Sequence, residues 1–301
     1  MKSHLLLTAF ILGTLTGYSQ LANFDADGKK TKIDAEKIVI LVETKKESDQ
    51  AAPAFVTVLS SLIGVGTGAI QAHLSSKQES YTATYTGRIS GKDFMVQNSV
   101  LTITGLKIVR LTKSGNGTFD TSAIIKLKAI QDDPVFKFET ESVNIIKSKA
   151  RIKRATKKGK TIDLNIDIKV DASWRKYEIE EKEEGAKKEK VKKIKSATLE
   201  SGTLGQSSIT LTGIKPGQVE NENISSEWFK MVPQDAANIP AETRGRGWYT
   251  ITVTVKEANP YGVTSKKIAE FFKESNEAIT GFLQSLVPEK SEKKEEEAAE
   301  N

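Results

Sequence analysis

The chain of 301 residues contains no cysteine and only two histidines. Without cysteine it can have neither disulfide bonds nor a lipid-modified N-terminal cysteine, so packing must stabilise the fold. The same absence excludes zinc sites built from cysteine and histidine, and it excludes every thiol nucleophile. His4 lies among the first 20 residues, His73 lies in an uncharged segment, and no GxSxG motif is present. We therefore predict no catalytic residues, no metal ligands and no cofactor.

The N-terminal residues have the pattern of a secretory signal peptide. Lys2 is followed by an uncharged run from Leu5 to Gly17, which is too short to span a bilayer as a helix. Gly17 and Ser19 stand where signal peptidase requires small side chains, so cleavage is expected after Ser19. We interpret residues 1–19 as a signal peptide and expect an exported protein that is periplasmic, held at the outer surface or secreted.

Charge is unevenly spread, although 45 basic residues nearly balance 39 acidic ones. Six Glu and three Lys fill residues 289–301, so we predict a disordered acidic tail over 288–301. Residues 147–160 hold eight basic residues and no acidic one. Such a local positive potential suits phosphate, an acidic glycan, lipopolysaccharide or another envelope component, although a charge run by itself favours a solvated lysine-rich face. We expect no nucleic-acid partner.

Alternation of apolar and polar residues dominates the chain from residue 81 onwards. In the clearest run, Ile162 to Trp174, apolar residues at even positions alternate with mostly polar residues at odd positions. This period is that of a strand with one buried and one solvated face. We predict a mainly β fold over residues 20–287, a large antiparallel sheet system in the form of a sandwich or open barrel. SVLTITGLK at 99–107 resembles SSITLTGIK at 207–215, which leaves two β-modules open as an alternative to coincidence.

Residues 51–76 contain no charged side chain, and apolar residues recur at helical spacing from Phe55 to Ile70. The pattern predicts one apolar helix near the N-terminus that begins near Pro53 and packs on the sheet. The segment is also long enough to cross a bilayer and contains a GxxxG pair, so membrane insertion through residues 51–76 is the alternative.

A second helix is predicted at the other end of the chain. Apolar residues form one stripe from Ile268 to Leu286, and Thr264 or Ser265 can cap the N-terminus. We expect an amphipathic C-terminal helix over residues 264–287 that covers the sheet or lies on a membrane surface.

Charge spacing predicts a hairpin around Gly185. Gly185 and Ala186 would form a two-residue turn of type II′, which prefers glycine first. The resulting register pairs Glu184 with Lys187 and continues with pairs of opposite charge.

A second hairpin is predicted to join residues 144–156 to 160–172 through a three-residue loop. This loop length places Lys149 opposite Asp167 and keeps apolar residues on one face of both strands. The opposite, exposed face then carries the candidate ligand-binding residues, which are Lys147, Lys149, Arg151 and Lys153. Because aspartates on the partner strand neutralise part of this charge, we expect weak and salt-sensitive binding.

The carboxylates suggest two further hypotheses, a glycosidase site and a calcium site. Asp163, Asp167 and Asp171 share one strand face, which leaves open a glycosidase that uses two acids, although aspartate on a solvated face usually serves solubility. Residues 23–34, NFDADGKKTKID, resemble the loop of EF-hand calcium sites, with oxygen-bearing side chains at positions 1, 3, 5 and 12 and glycine at position 6. The last of these is aspartate where glutamate is usual, and a polar lead-in is the favoured interpretation.

These observations favour an exported, non-catalytic binding protein or envelope component whose ligand is anionic. A membrane-inserting protein that uses residues 51–76 is the first alternative, and a carboxylate glycosidase is the second. The sequence leaves the oligomeric state open.

Overall fold

The computed structural model describes residues 22–44, 54–58, 81–92, 95–96, 100–115, 117–132, 134–153, 158–184, 189–231 and 248–273. The predicted signal peptide, residues 1–19, and the predicted acidic tail, residues 288–301, lie outside the described residues, as does His73.

Within these ranges the chain forms short and long strands, a single 3₁₀ turn at Lys158–Lys160 and one α-helix. In chain order the strands are β1 (Ala22–Phe24), β2 (Lys30–Lys32), β3 (Ala35–Thr44), β4 (Ala54–Val58), β5 (Thr82–Lys92), β6 (Met95–Val96), β7 (Val100–Leu101), β8 (Ile103–Lys113), β9 (Asp120–Asp132), β10 (Val135–Ile145), β11 (Ile162–Glu184), β12 (Glu189–Ile214), β13 (Val219–Glu220), β14 (Phe229–Lys230) and β15 (Trp248–Ala258).

Seven strands form the larger sheet, and all its pairings are antiparallel. The order across the sheet is β13, β10, β9, β8, β3 and β4, and β14 also pairs with β10. Strands β8, β9 and β10 follow one another as a meander. At the first of its turns, Gly115 has a φ of 60°, a conformation that glycine adopts without strain.

Four strands form the second sheet, in the order β12, β11, β15 and β5, again antiparallel throughout. Strand β15 accompanies β11 only as far as Ser173, which pairs with Trp248. Beyond that point residues 174–184 and 189–200 pair only with each other among the described strands. We call this two-stranded extension the ribbon.

The two sheets pack face to face around a shared hydrophobic core. Even-numbered residues of β11 from Ile162 to Ala172 are buried in it, as the alternation predicts. Strands β3 and β8 of the opposite sheet supply buried residues such as Ile40 and Ile108. The predicted mainly β, antiparallel fold is therefore confirmed.

The predicted hairpin between residues 144–156 and 160–172 is wrong. Ile145 ends β10 in the seven-stranded sheet, whereas Ile162 begins β11 in the four-stranded sheet. Residues 146–161 therefore cross from one sheet to the other. They cannot pair along β11 because β12 and β15 already occupy both of its edges.

The predicted hairpin around Gly185 is confirmed, but its register differs. Glu184 pairs with Glu189 and Glu183 pairs with Lys190, so the loop has four residues rather than two. A shift of two positions along a strand keeps every side chain on its face, because the side-chain period is two. Charge pairing favours the wrong register, since the observed one places Glu184 opposite Glu189. Single ion pairs of this kind contribute too little to determine a register.

The predicted helix over residues 51–76 is wrong at its N-terminal end. Ala54–Val58 form β4, which lies antiparallel to β3 with Val58 opposite Ile40. The β-branched and aromatic residues of β4 suit a strand, and they supply a backbone partner to the edge of β3. Residues 59–76, the remainder of the predicted helix, lie outside the described residues.

The amphipathic C-terminal helix is confirmed in its first part, residues 265–273, which we call α1. Ile268 N–H donates to the Thr264 carbonyl at 2.9 Å, so the helix begins directly after Thr264. Ile268 and Phe271 are buried in a small apolar cluster with Ala258 of β15. The predicted residues 274–287 lie outside the described residues.

We predict that Gly87→Ala destabilises the protein by about 1–3 kcal/mol, the range for overpacking a core. A Cβ at Gly87 would lie 2.8 Å from Ile38 Cγ2 and 3.0 Å from Ile40 Cδ1, because β5 and β3 approach closely there. Urea unfolding followed by circular dichroism measures the change. Gly202→Ala is the control, since its new methyl would meet only the Trp174 ring at 3.6 Å. Equal stability of both variants would contradict close packing at Gly87.

Candidate functional site

The four candidate residues, Lys147, Lys149, Arg151 and Lys153, lie on residues 146–161, which we call the crossover; its positions 154–157 are outside the described residues. Backbone hydrogen bonds hold it at one end of the two-layer structure. Ser148 exchanges two of them with Phe24 of β1, at 2.7 and 2.8 Å. Lys153 N–H donates to the Gly159 carbonyl at 2.8 Å, which closes a small loop within the crossover.

Glu257 of β15 holds the centre of the crossover from the opposite sheet. Its Oε2 accepts hydrogen bonds from Ser148 Oγ at 2.7 Å and from the backbone N–H groups of Lys149 and Ala150 at 2.7 and 3.1 Å. Asn259 adds two more bonds, from its Nδ2 to the carbonyls of Arg151 and Gly159. A carboxylate that accepts several N–H groups acts as a charged clamp on the backbone.

Arg110 of β8 lies fully buried beneath the crossover. Its guanidinium donates to Glu36 Oε1 at 2.6 Å, to Asn23 Oδ1 at 2.6 Å and to the Lys147 carbonyl at 3.1 Å. The guanidinium also lies over the ring of Tyr85, 5.3 Å from its centroid. These partners come from β3, β1, the crossover and β5, so one cation connects four elements.

Lys149 completes this buried group instead of facing solvent. Its Nζ donates to Glu36 Oε2 at 2.7 Å and to the Thr84 carbonyl at 3.2 Å. Burial acts to raise the pKa of Glu36, but the charges of Arg110 and Lys149 outweigh it and hold the pKa below its ordinary value. Lys149 is therefore a structural counter-ion to Glu36.

Arg151 and Lys153 lie on the outer side of the crossover, each over a tyrosine. The guanidinium of Arg151 is 5.5 Å from the ring centroid of Tyr81, and Lys153 Nζ is 4.0 Å from that of Tyr261. The two rings are themselves 6.2 Å apart, and Lys153 Nζ donates to the Tyr261 hydroxyl. Arg151 is exposed and Lys153 half-buried, so two cations are fixed side by side on one aromatic pair.

Sequence reasoning found the cations but missed the tyrosines. Tyr81 directly precedes β5 and Tyr261 follows β15, so both are distant from the crossover in the chain and only strand pairing brings them together. Residues 259–262, NPYG, are typical of a turn, and nothing in this sequence indicates that Tyr261 contacts a lysine. Lys147 is half-buried, and its backbone is fixed by a bond from its N–H to the Ser122 carbonyl at 2.9 Å.

Two buried polar atoms next to the crossover, on side chains that interact with each other, have no other hydrogen-bond partner among the described residues. They are the Tyr85 hydroxyl and Glu257 Oε1. Burial raises the pKa of Tyr85 well above its usual range, and the negative charge of Glu257 raises it further. The Tyr85 hydroxyl is therefore protonated at neutral pH.

The three aspartates of β11 do not form a glycosidase pair. Neighbours are four residues apart on one strand, or about 13 Å, which exceeds the separation that glycosidases use. Asp167 is buried in an ion pair with Lys256, whose pKa burial lowers although Asp167 acts to raise it. Burial raises the pKa of Asp163, against a 2.9 Å bond from the Gly213 N–H. These contacts are structural.

The segment that resembles a calcium loop forms the β1–β2 hairpin. Asn23 is buried and donates to Thr112 Oγ1 at 2.9 Å, so it points into the protein. Asp25 accepts from the N–H groups of Asp27 and Lys29 at 3.0 and 2.8 Å, which is the bonding of a turn. Asp34 accepts from the Gly115 N–H instead. The side-chain oxygens of Asn23, Asp25 and Asp34 therefore do not converge on one point, as calcium ligands would.

Among the described residues, no three histidine, aspartate or glutamate side chains come together as metal ligands. No helix in the described part of the chain is long and apolar enough to cross a membrane. No protein-family model matches the chain, and neither curated proteins nor solved structures show significant similarity to it.

We predict that Glu36→Gln destabilises the protein by about 3–5 kcal/mol at pH 7, because Arg110 would remain buried without its counter-charge. The folded-state pKa of Glu36 lies below the ordinary 4.5, so its contribution is complete above that pH. It disappears as the pH falls through the lower folded-state value. Urea unfolding between pH 7 and pH 3 should therefore show the variant and the wild type converging at the acid end.

Glu200→Gln is the matched control for this prediction. It makes the same chemical change in the exposed pair of Glu200 with Lys176, which is 3.1 Å long. Exposed pairs contribute less than about 1 kcal/mol, so this variant should resemble the wild type at every pH. A pH-independent loss of stability in Glu36→Gln would show that the carboxylate charge is not what matters.

Proposed function

We propose that this chain is an exported, non-catalytic binding protein that binds an anionic glycan of the cell envelope at the crossover. The observation that carries this proposal is the pair of cations, Arg151 and Lys153, held on the rings of Tyr81 and Tyr261. Cations fixed in this way lose little side-chain freedom on binding, which favours affinity.

The local charge balance supports an anionic ligand. The acidic residues at this end, Glu36 and Glu257, are turned inward to Arg110, Lys149 and the crossover backbone. The carboxylates of Glu36 and Glu257 therefore do not reach the outer side of the crossover, where Arg151 and Lys153 lie. We expect a positive potential at this surface, so binding should weaken as salt screens it.

The exposed aromatic surface supports a glycan rather than a free ion. Tyr261 is 41% exposed beside the Lys153 ammonium. A sugar ring that carries a carboxylate, phosphate or sulfate can place its C–H face on the tyrosine and its anionic group on the cation. This combination of an apolar face with a precisely placed charge is typical of small-ligand sites.

We predict that the double substitution Arg151→Gln/Lys153→Gln lowers affinity for heparin, a sulfated probe glycan, by about tenfold, or 1.4 kcal/mol. Wild-type affinity should fall with added salt, and the variant should show a shallower dependence. Isothermal titration at several NaCl concentrations measures both. Lys128→Gln/Lys176→Gln removes the same charge from exposed ion pairs elsewhere and is the control. Equal losses in the two variants would reduce the effect to net charge and refute a site.

Vesicles distinguish the proposal from membrane insertion through residues 51–76. Insertion predicts that the protein floats with neutral phosphatidylcholine vesicles even in high salt, because burial of apolar groups is not screened. The proposed function predicts no flotation with such vesicles. Flotation that survives high salt would therefore favour the alternative.

The proposed function requires that the protein is exported and that its signal peptide, residues 1–19, is removed. We predict that the protein, expressed with its own leader in a bacterial host that has a periplasm, is recovered from the periplasm or medium with Gln20 as its first residue. Intact mass spectrometry measures this directly. A cytoplasmic product that retains residues 1–19 would contradict export.

A further inference from the structure

The outer face of the four-stranded sheet carries an exposed tryptophan among hydroxyl groups. Strand register places Ser201, Ser173 and Trp248 in one row across β12, β11 and β15. The next row holds Thr203, Asp171 and Thr250. Residues directly opposite one another in paired strands point to the same face, so all six side chains share one surface.

These two rows line an open depression of about 320 Å³ at the base of the ribbon. Trp248 is 55% exposed there, and Leu199, opposite Arg175 in the next row of the same face, is 74% exposed. An exposed indole ring offers a large and rigid apolar face beside these hydroxyl groups, which a ligand can cover. The volume lies at the lower end of the range for small-molecule sites.

The polar groups of the depression are held in place. Asp171 Oδ1 accepts from Thr203 Oγ1 at 2.6 Å, and its Oδ2 lies 3.4 Å from Lys169 Nζ. Thr250 Oγ1 is hydrogen-bonded to Ser90 Oγ of β5 at 2.9 Å. The Asp171 side chain remains 35% exposed, so its carboxylate can still accept hydrogen bonds from a ligand.

This chemistry selects an uncharged sugar. A pyranose ring has an apolar C–H face that fits an indole, and hydroxyl groups around its edge that fit serine, threonine and a carboxylate. An anionic ligand would be repelled by Asp171, the carboxylate that lines the depression. A hydrophobic ligand would cover the exposed part of the Asp171 carboxylate without hydrogen-bonding to it, which is costly.

We propose that Trp248 and Asp171 form a binding site for a neutral oligosaccharide, in which one sugar ring stacks on Trp248. The site is independent of the proposed anion site. The crossover joins β11 at Ile162, and the depression lies at Ser173, about 36 Å further along the strand at 3.3 Å per residue. The two sites therefore lie at opposite ends of the second sheet.

The test uses the mature chain and four neutral hexasaccharides, built from β1,4-glucose, α1,4-glucose, β1,4-mannose and β1,4-N-acetylglucosamine. Titrations followed by tryptophan fluorescence and calorimetry should give binding to at least one of them, unchanged in 0.5 M NaCl. Trp248→Ala should lower that affinity at least tenfold, and Asp171→Asn should lower it several-fold. Both changes affect an exposed or half-exposed side chain, and unfolding curves check that the fold is intact.

Trp228→Ala is the matched control, because Trp228 is 47% exposed at a position outside the depression, where its ring stacks with Lys137. It should leave sugar binding unchanged. Failure of all four sugars to bind the wild type would overturn the proposal, as would equal losses in the two tryptophan variants. Heparin binding should survive in Trp248→Ala, so failure of this site and failure of the anion site give different results.

Discussion

The buried guanidinium of Arg110 is the constraint around which one end of the protein is organised. A charge removed from water must be paired and hydrogen-bonded, or the fold loses several kcal/mol. Glu36, Asn23 and the Lys147 carbonyl meet that requirement from three different elements. Once they do, the path of the crossover is determined, because its backbone must reach both Arg110 and the Glu257 clamp.

The position of the outer cations is a consequence of that path. With Lys149 drawn inward to Glu36, the next basic residues of the crossover emerge beside the start of β5 and the end of β15. Tyr81 and Tyr261 stand there because Asn259 N–H bonds to the Tyr81 carbonyl at 2.8 Å. The surface that we propose as an anion site therefore depends on the buried charges, because the pairing of Lys149 with Glu36 places the following basic residues on the outside.

The sequence predicted which side of each strand is buried better than it predicted which strands are neighbours. Alternation between Ile162 and Ala172 correctly assigned the buried side of β11, because period two is a property of the strand itself. The choice of a neighbouring strand is not local. Residues 144–152 alternate in the same way, yet none of them pairs with β11, because residues 144–145 end β10 in the other sheet and residues 146–152 belong to the crossover. The apolar composition of Ala54–Val58 likewise indicated a helix. These residues form a strand because they pair with the edge of β3. The basic residues of the site could be identified from the sequence. The positions of Tyr81, Tyr261 and Trp248 could not, because they depend on which strands pair and in which register.

The ribbon gives the molecule an unusual outline. Beyond Trp174, which packs against the core, residues 175–184 extend about 33 Å at 3.3 Å per residue, with β12 as their single neighbour among the described strands. A thin projection adds little mass but drags a large volume of solvent as the protein tumbles. Its sedimentation and rotational diffusion should therefore be slower than those of a sphere of equal mass, and the molecule should elute from a sizing column as if it were larger.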